Sequence, residues 1–380
     1  MGSEDKQIKL SIILPCRNEE ESLAHCLDQI GEVLNVNNID AEVIVSDSSS
    51  DRSPEIAKSF GVMLVKHNRE GYGSAYLEGF KVAKGRYLFL ADVDGTYDFN
   101  EIPIFLKKLE SGYDLVIGNR FGNKIIPGSM PWANRHIGNP FLSAMMRLFF
   151  GTGISDAHCG MRAVKSQAFS LMNLQTTGME FASEMIIKAI KRRLKITELP
   201  ISYYPRKGKS KLKPIPDGWR HLRFMLLYNP NFLFFIPGIV LFLFGFVLLV
   251  LLYFSAIKIG GLQFQYHPMF IASLILIIGY QLIFFALFAK TYALTHLSEE
   301  NKILNLSYRY FTLEKGIAIG FIFLFLGCVI FLAIFISWVK SNFGSLLEIK
   351  NSILALTLII IGIQTISSAF MLSILGIKDK

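Results

Sequence analysis

Two aspartates separated by one valine, Asp92 and Asp94, carry the clearest chemical signal in the chain. They follow residues 87–91 (YLFLA), a short apolar and aromatic run that reads as a buried strand. A strand end that projects Asp-Val-Asp puts both carboxylates at one rim of a sheet. Hard oxygen ligands placed there can hold Mg2+ or Mn2+, and such an ion neutralises a diphosphate leaving group. An Asp-x-Asp alone equally suits a solvated turn, so the surrounding elements decide between the two readings.

Those elements alternate. Residues 9–15 (KLSIILP) read as a first strand, and 19–33 as an amphipathic helix with Leu23, Cys26, Leu27 and Ile30 on one face. Residues 41–46 form a second strand, followed by the polar turn DSSSD. A helix at 54–60, a strand at 61–66 and a glycine-opened helix at 71–83 lead to the strand at 87, and a further strand lies at 113–118. This order predicts an α/β domain with a parallel, doubly wound sheet. Ligands of such sheets gather outside the carboxyl ends of the strands, where Asp92 and Asp94 fall.

Two phosphate-binding motifs fail on inspection. Gly71-Tyr-Gly73 begins like a dinucleotide fingerprint, but Tyr76 holds the third glycine position and the run does not follow the first strand. Gly208-Lys209-Ser210 ends like a P-loop, yet Tyr203 stands where a glycine is required. Cys16, Cys26, Cys159 and Cys328 show no paired spacing, which argues against disulfides and a zinc site. Glu180 and Glu184, on a helix predicted over 179–191, either reach the site or line a solvated face.

The chain has 380 residues, 52% of them hydrophobic, and the apolar excess lies after about residue 231. Runs at 232–254, 268–289, 316–339 and 352–376 are each long enough to cross about 30 Å of hydrocarbon as a helix. Residues 1–9 are charged and polar and do not read as a signal peptide. The net charge is +9, and basic residues concentrate between Lys188 and Arg223, just before the first apolar run. Beside membrane spans this suits anionic headgroups or a lipid phosphate rather than nucleic acid. Lys290, Lys302, Arg309 and Lys315 fall in or near the loop between the second and third runs, while the loop between the first and second carries only Lys258. The asymmetry predicts that the α/β domain and both termini are cytoplasmic. Residues 214–231 combine Trp219, Phe224 and Tyr228 with His and Arg, as an amphipathic helix in the membrane surface would. The predicted organisation is therefore 1–213, 214–231 and 232–380.

In order, LPCRNEE, VIVSDSSSD, REGYGSAYLEGF, LADVDGTYD, VIGNR and DAHCGMR resemble the family 2 inverting glycosyltransferases of GT-A (Rossmann-like) fold. Within that family the chain is similar to the polyprenyl-phosphate branch, the dolichyl-phosphate mannose and glucose synthases, over about residues 8–213. The resemblance implies that Pro15, Arg17, Glu19 and Asp47 meet the nucleotide, together with Gly71, Gly73 and Asp92. Ser46 and Ser48 replace an Asp and a Gly of the usual Asp-Asp-Gly-Ser, and Thr96 stands where mannose synthases carry Gln. Asp92 and Asp94 are the implied metal ligands. Arg120, Asp156 and Arg162 are implied near the catalytic centre. Asp156 and Arg162 also suit a structural ion pair with each other. The acceptor phosphate is expected at Arg120, at Arg135 and Asn139, and at Arg206, Lys209, Ser210 and Lys211. Arg135 and Asn139 would share one helical face.

The implied reaction moves a hexose from a nucleotide sugar to a polyprenyl or dolichyl phosphate in the bilayer, with inversion at C1. UDP-glucose is the first expected donor, then UDP-N-acetylglucosamine, then GDP-mannose. No dedicated general base is expected, and a homo-oligomer is allowed. A processive polysaccharide synthase would add a Gln-x-x-Arg-Trp motif, which the chain lacks. The alternative from another class is a catalytically inactive scaffold or flippase accessory that binds nucleotide sugar without turnover.

Overall fold

The computed structural model describes residues 8–122, 125–208, 214–255, 257–259, 262–264, 266–296 and 312–376. Two compact units meet at Met225 and Leu226, inside a helix that spans Pro214–Tyr228.

The first unit is built on a seven-stranded sheet. Strands β1 (Leu10–Cys16), β2 (Ala41–Asp47), β3 (Met63–Lys66) and β4 (Tyr87–Leu90) alternate with helices α1 (Leu23–Val36), α2 (Ser53–Ser59) and α3 (Tyr72–Phe80). Then come α4 (Ile102–Glu110), β5 (Leu115–Asn119), α5 (Asn139–Phe150), β6 (Arg162–Lys165), α6 (Ser166–Met172), α7 (Phe181–Lys191) and β7 (Ile196–Pro200). The strand order is β3-β2-β1-β4-β6-β5-β7. The first four strands are parallel, as the alternating pattern predicted. The sheet as a whole is mixed, because β6 runs antiparallel to both β4 and β5. Apolar patterning sets burial, not strand direction, and the four residues of β6 (RAVK) carry too short a pattern to read.

Helix α3 lies unusually close to the sheet. A Cβ on Gly79 would sit 2.6 Å from Ile13 Cγ2. Ser46 is fully buried and its hydroxyl donates to the Ala75 carbonyl at 2.5 Å. An ionised aspartate could not donate there, which gives a local reason for serine at this position.

The second unit holds four apolar helices, Asn231–Phe254, Tyr266–Ala293, Leu313–Lys340 and Ile349–Leu375, each long enough to cross a membrane. Close backbone approach at glycines packs them in pairs. A Cβ on Gly245 would lie 2.5 Å from Leu276 N, and one on Gly327 would lie 2.6 Å from Ile359 Cγ1. Hydroxyl pairs Ser273–Thr357 and Tyr280–Thr365, both 2.6 Å, join the second helix to the fourth. In the third helix only 11% of the most apolar window is buried. Side chains such as Phe325 and Leu332 point outward, an apolar surface that suits lipid rather than water. A short hairpin of Ile257–Ile259 and Leu262–Phe264 lies between the first two helices.

Candidate active site

The ends of β1, β2 and β4 are neighbours, so the segments that leave them converge. Cys16 pairs with Asp47 in register, and Ile13 with Leu90. Glu19, Asp47, Asp92 and Asp94 therefore gather at one rim of the sheet, as expected from the sequence. Asp47 is buried and accepts from the Ser49 amide at 3.2 Å. Pro15 lies within β1, and Arg17 is exposed and pairs with Glu70 at 3.0 Å.

Asp94 is held from two sides. Its Oδ1 accepts from the Thr96 amide at 3.1 Å and the Thr96 hydroxyl at 2.6 Å, a turn that Gly95 opens with φ of 79°. Thr96 therefore orients Asp94. Its Oδ2 receives Arg206 Nη1 at 3.0 Å, and Nη2 of the same guanidinium reaches Glu19 Oε1 at 2.6 Å. Arg206 was expected on the acceptor phosphate, but here it neutralises the carboxylate rim. Lys209, Ser210 and Lys211 lie outside the described residues.

Asp92 and the Tyr72 hydroxyl lie against the same face of Gly160. Burial, and then the charge of Asp94, push the Asp92 carboxyl up to about 7. Two oxygen-donor side chains that repel each other in a poorly solvated rim fit a hard divalent cation. Among the described residues no third His, Cys, Asp or Glu joins them as a ligand cluster. Further oxygens would come from water or a bound phosphate, as is usual for Mg2+.

Arg120 and Asp156 form one bidentate ion pair, Nε–Oδ2 at 2.7 Å and Nη2–Oδ1 at 2.8 Å, with the Arg120 amide on Oδ2 at 3.1 Å. Both residues are buried, and the guanidinium stacks over Tyr203 at 5.3 Å. The geometry corrects two expectations. Asp156 pairs with Arg120 rather than with Arg162, and the fork of Arg120 is spent on a protein carboxylate rather than on a phosphate. Arg162 instead donates to the carbonyls of Cys159, Ala182 and Ala157 at 2.7–2.8 Å. It ties the 157–160 loop to the first turn of α7.

Gly71 and Gly73 also take a different role. A Cβ on either would lie 2.2 Å from a carbonyl oxygen, of Thr177 and Thr176 respectively. The amides of Gly73 and Ser74 donate to Gly178 and Thr177. Amides that a phosphate would need at the start of α3 are thus already used. Glu184 is fully buried and holds the same loop, accepting from Gln175 N, Thr176 N and Thr176 Oγ1 while pairing with Lys188. It is neither a site residue nor part of a solvated face. Glu180 sits against Gly178, with Oε2 buried.

Arg135 is exposed, in a π-helical turn spanning Asn134–Gly138. Asn139 begins α5 and donates to Met130 Sδ at 3.4 Å. Residues four apart are about one turn apart in a π-helix as in an α-helix, so the two keep a common side of the segment.

Several contributors were not legible as site residues. Tyr97 Oη accepts from the Gly160 amide at 2.8 Å, yet its sequence context reads simply as core. His158 and His221 meet edge to face at 4.3 Å and share the Ser183 hydroxyl, at 3.3 and 2.9 Å. Burial lowers both, His221 to about 4 and His158 well below the ordinary value. Both rings are therefore neutral at pH 7, and His221 fastens the helix Pro214–Tyr228 beside the 157–160 loop.

Comparison with known proteins agrees with this architecture. The family described as Glycosyl transferase family 2 matches residues 11–171. Its C-terminal transmembrane region matches residues 287–376. The chain is 39% identical to the low-salt glycan biosynthesis hexosyltransferase Agl6 of Haloferax volcanii, over 97% of this chain and 89% of that protein. It is 32% identical to the dolichyl-phosphate hexose transferase of the same organism, over 55% of this chain and 89% of that protein. Among solved structures it is similar to glucosyl-3-phosphoglycerate synthase from Mycobacterium tuberculosis in complex with Mn2+, UDP and glucosyl-3-phosphoglycerate. That match has 20% identity, covers 58% of this chain and 80% of that one, and has a TM-score of 0.47. The chain belongs to glycosyltransferase family 2. It is an integral membrane protein of that family, with a GT-A catalytic unit and a transmembrane C-terminal region.

Proposed function

We propose that the protein transfers a hexose from a nucleotide sugar to a polyprenyl or dolichyl phosphate, with inversion, and releases a nucleoside diphosphate. The observation that carries this reading is the carboxylate rim of Asp92 and Asp94, beside Glu19 and Asp47, in a chain that also carries four membrane-spanning helices. The name of the 32% identical relative supports a lipid-phosphate acceptor. UDP-glucose remains the preferred donor, ahead of UDP-N-acetylglucosamine and GDP-mannose. The direct test is a panel of radiolabelled nucleotide sugars with polyprenyl phosphate in detergent. Label should enter the lipid phase with one donor, and no transfer from any donor would overturn the assignment.

The chemistry asks little of acids and bases. A phosphomonoester has a second pKa of about 6, so the acceptor is largely dianionic at pH 7 and already nucleophilic. Asp92 and Asp94 would hold Mg2+ or Mn2+, which supplies charge stabilisation for the departing diphosphate. Thr96 keeps Asp94 oriented. Glu19 and Asp47 offer acceptors to the nucleotide. Arg206, which pairs with Asp94 Oδ2, would be displaced by a cation at that oxygen, and its guanidinium would then be available to a phosphate. Catalysis then comes from positioning and preorganised charge.

The exposed Ile215, Trp219 and Leu227 on the helix Pro214–Tyr228 suit the headgroup layer, where the acceptor phosphate lies. Arg135, with exposed Trp132 and Ile137 beside it, is the proposed acceptor ligand, aided by Asn139. Arg135→Ala should weaken apparent lipid affinity by roughly ten- to a hundredfold, the worth of one charge-assisted contact of about 1.5–3 kcal/mol. Nucleotide binding should be spared. Loss of nucleotide affinity with unchanged lipid affinity would place Arg135 on the other substrate.

Loop charges support a cytoplasmic catalytic unit and cytoplasmic termini. Single cysteines placed at Lys258 and Lys302 should label from opposite sides of sealed vesicles. Labelling from one side would refute this topology.

A further inference from the structure

Three segments remote in sequence close around one carboxylate. A Cβ on Gly160 would lie 2.6 Å from Asp92 Oδ2, 3.0 Å from the Tyr97 hydroxyl and 3.1 Å from the Tyr72 hydroxyl. The space that any other residue would fill at 160 is therefore the space in which Asp92 rests. The Tyr97 oxygen is fixed by the Gly160 amide at 2.8 Å. The Tyr72 hydroxyl, on the third side, donates to that of Tyr76 at 3.4 Å.

The rings have little freedom. Tyr72 and Tyr76 meet edge to face at 5.0 Å, and Tyr76 stacks on Phe181 at 5.5 Å with a 10° tilt. Gly71, with φ of 112°, turns the chain into α3 against the Thr177 carbonyl. Arg162 pins the 157–160 loop through the Cys159 and Ala157 carbonyls. Asp94, by contrast, is held by its own turn and by Arg206 alone among the bonds described above.

We propose that Gly160 is a positioning residue for Asp92: its missing side chain leaves the room in which the carboxylate sits, with the Tyr97 and Tyr72 hydroxyls on the other sides of that space. The lone pairs of Asp92 are then presented to the cation that accompanies the diphosphate. This inference rests on the reading of Asp92 and Asp94 as cation ligands. It gives the glycine of the DAHCGMR segment a role at the end of β4.

The test is Mn2+ binding to the full chain in detergent, read by electron paramagnetic resonance with UDP present. Gly160→Ala puts a methyl group into the space where Asp92 rests and should weaken Mn2+ binding roughly ten- to a hundredfold. It should lower kcat while leaving the KM for lipid unchanged. Tyr76→Phe, which removes a hydroxyl outside that space, should bind as the wild type. Wild-type Mn2+ affinity in Gly160→Ala, with weakened binding in Asp92→Asn and Asp94→Asn, would overturn the positioning role and leave the cation reading standing. Equal weakening in Tyr76→Phe would also overturn it, since general packing would then suffice. Unchanged binding in both aspartate variants would overturn the cation reading itself.

Discussion

Asp94→Asn should abolish nearly all turnover while leaving the fold intact. The amide keeps an oxygen for the Thr96 amide and hydroxyl, so the turn after β4 survives. What disappears is one negative charge at the point proposed to bind the cation and, through it, the leaving diphosphate. Lewis-acid stabilisation of that kind is worth several kcal/mol, so a loss on the order of a thousandfold is expected. Circular dichroism and the thermal midpoint should match the wild type. Excess chelator should reproduce the loss in the wild-type protein, and full activity in chelator would rule out the metal-assisted mechanism.

Removing Asp156 should act on stability rather than on acceptor binding. Asp156→Ala strands the guanidinium of Arg120, which is 7% exposed and otherwise bonded in bidentate fashion. Breaking one side of a buried ion pair costs about 3–5 kcal/mol, because an uncompensated charge remains inside. The midpoint of the catalytic unit should fall by several degrees or more. Arg120→Met combined with Asp156→Leu should recover part of the loss, since both charges leave together. If Asp156→Ala instead kept its stability and lost only affinity for the lipid phosphate, Arg120 would be the phosphate ligand that its place after β5 first suggested.

These two residues show where sequence reading succeeds and where it stops. The place of Asp94 at the sheet rim was legible because a short apolar run leads straight into it, and the alternating elements around it bring it to the strand ends near Glu19 and Asp47. The partner of Asp156 was not legible. Arg120 and Arg162 are both plausible by type, and only the register of β5 against β6 decides between them. Gly71 and Gly73 misled for a related reason. A glycine records that a Cβ is excluded, not by what, and here the excluding atoms belong to residues 176–178. The four apolar helices were read to within a few residues, because hydrocarbon thickness sets their length whatever packs against them. The π turn at Asn134–Gly138 was not legible, because it leaves no mark in apolar periodicity.

Which bond of the donor is broken defines the reaction, and the products of one turnover report it directly. The purified protein, a matched nucleotide sugar and polyprenyl phosphate should yield nucleoside diphosphate. They should also yield a lipid carrying one phosphorus between the isoprenoid and the hexose, with C1 in the β configuration by proton and phosphorus NMR. Nucleoside monophosphate and a lipid diphosphate sugar, or an α-linked product, would contradict it.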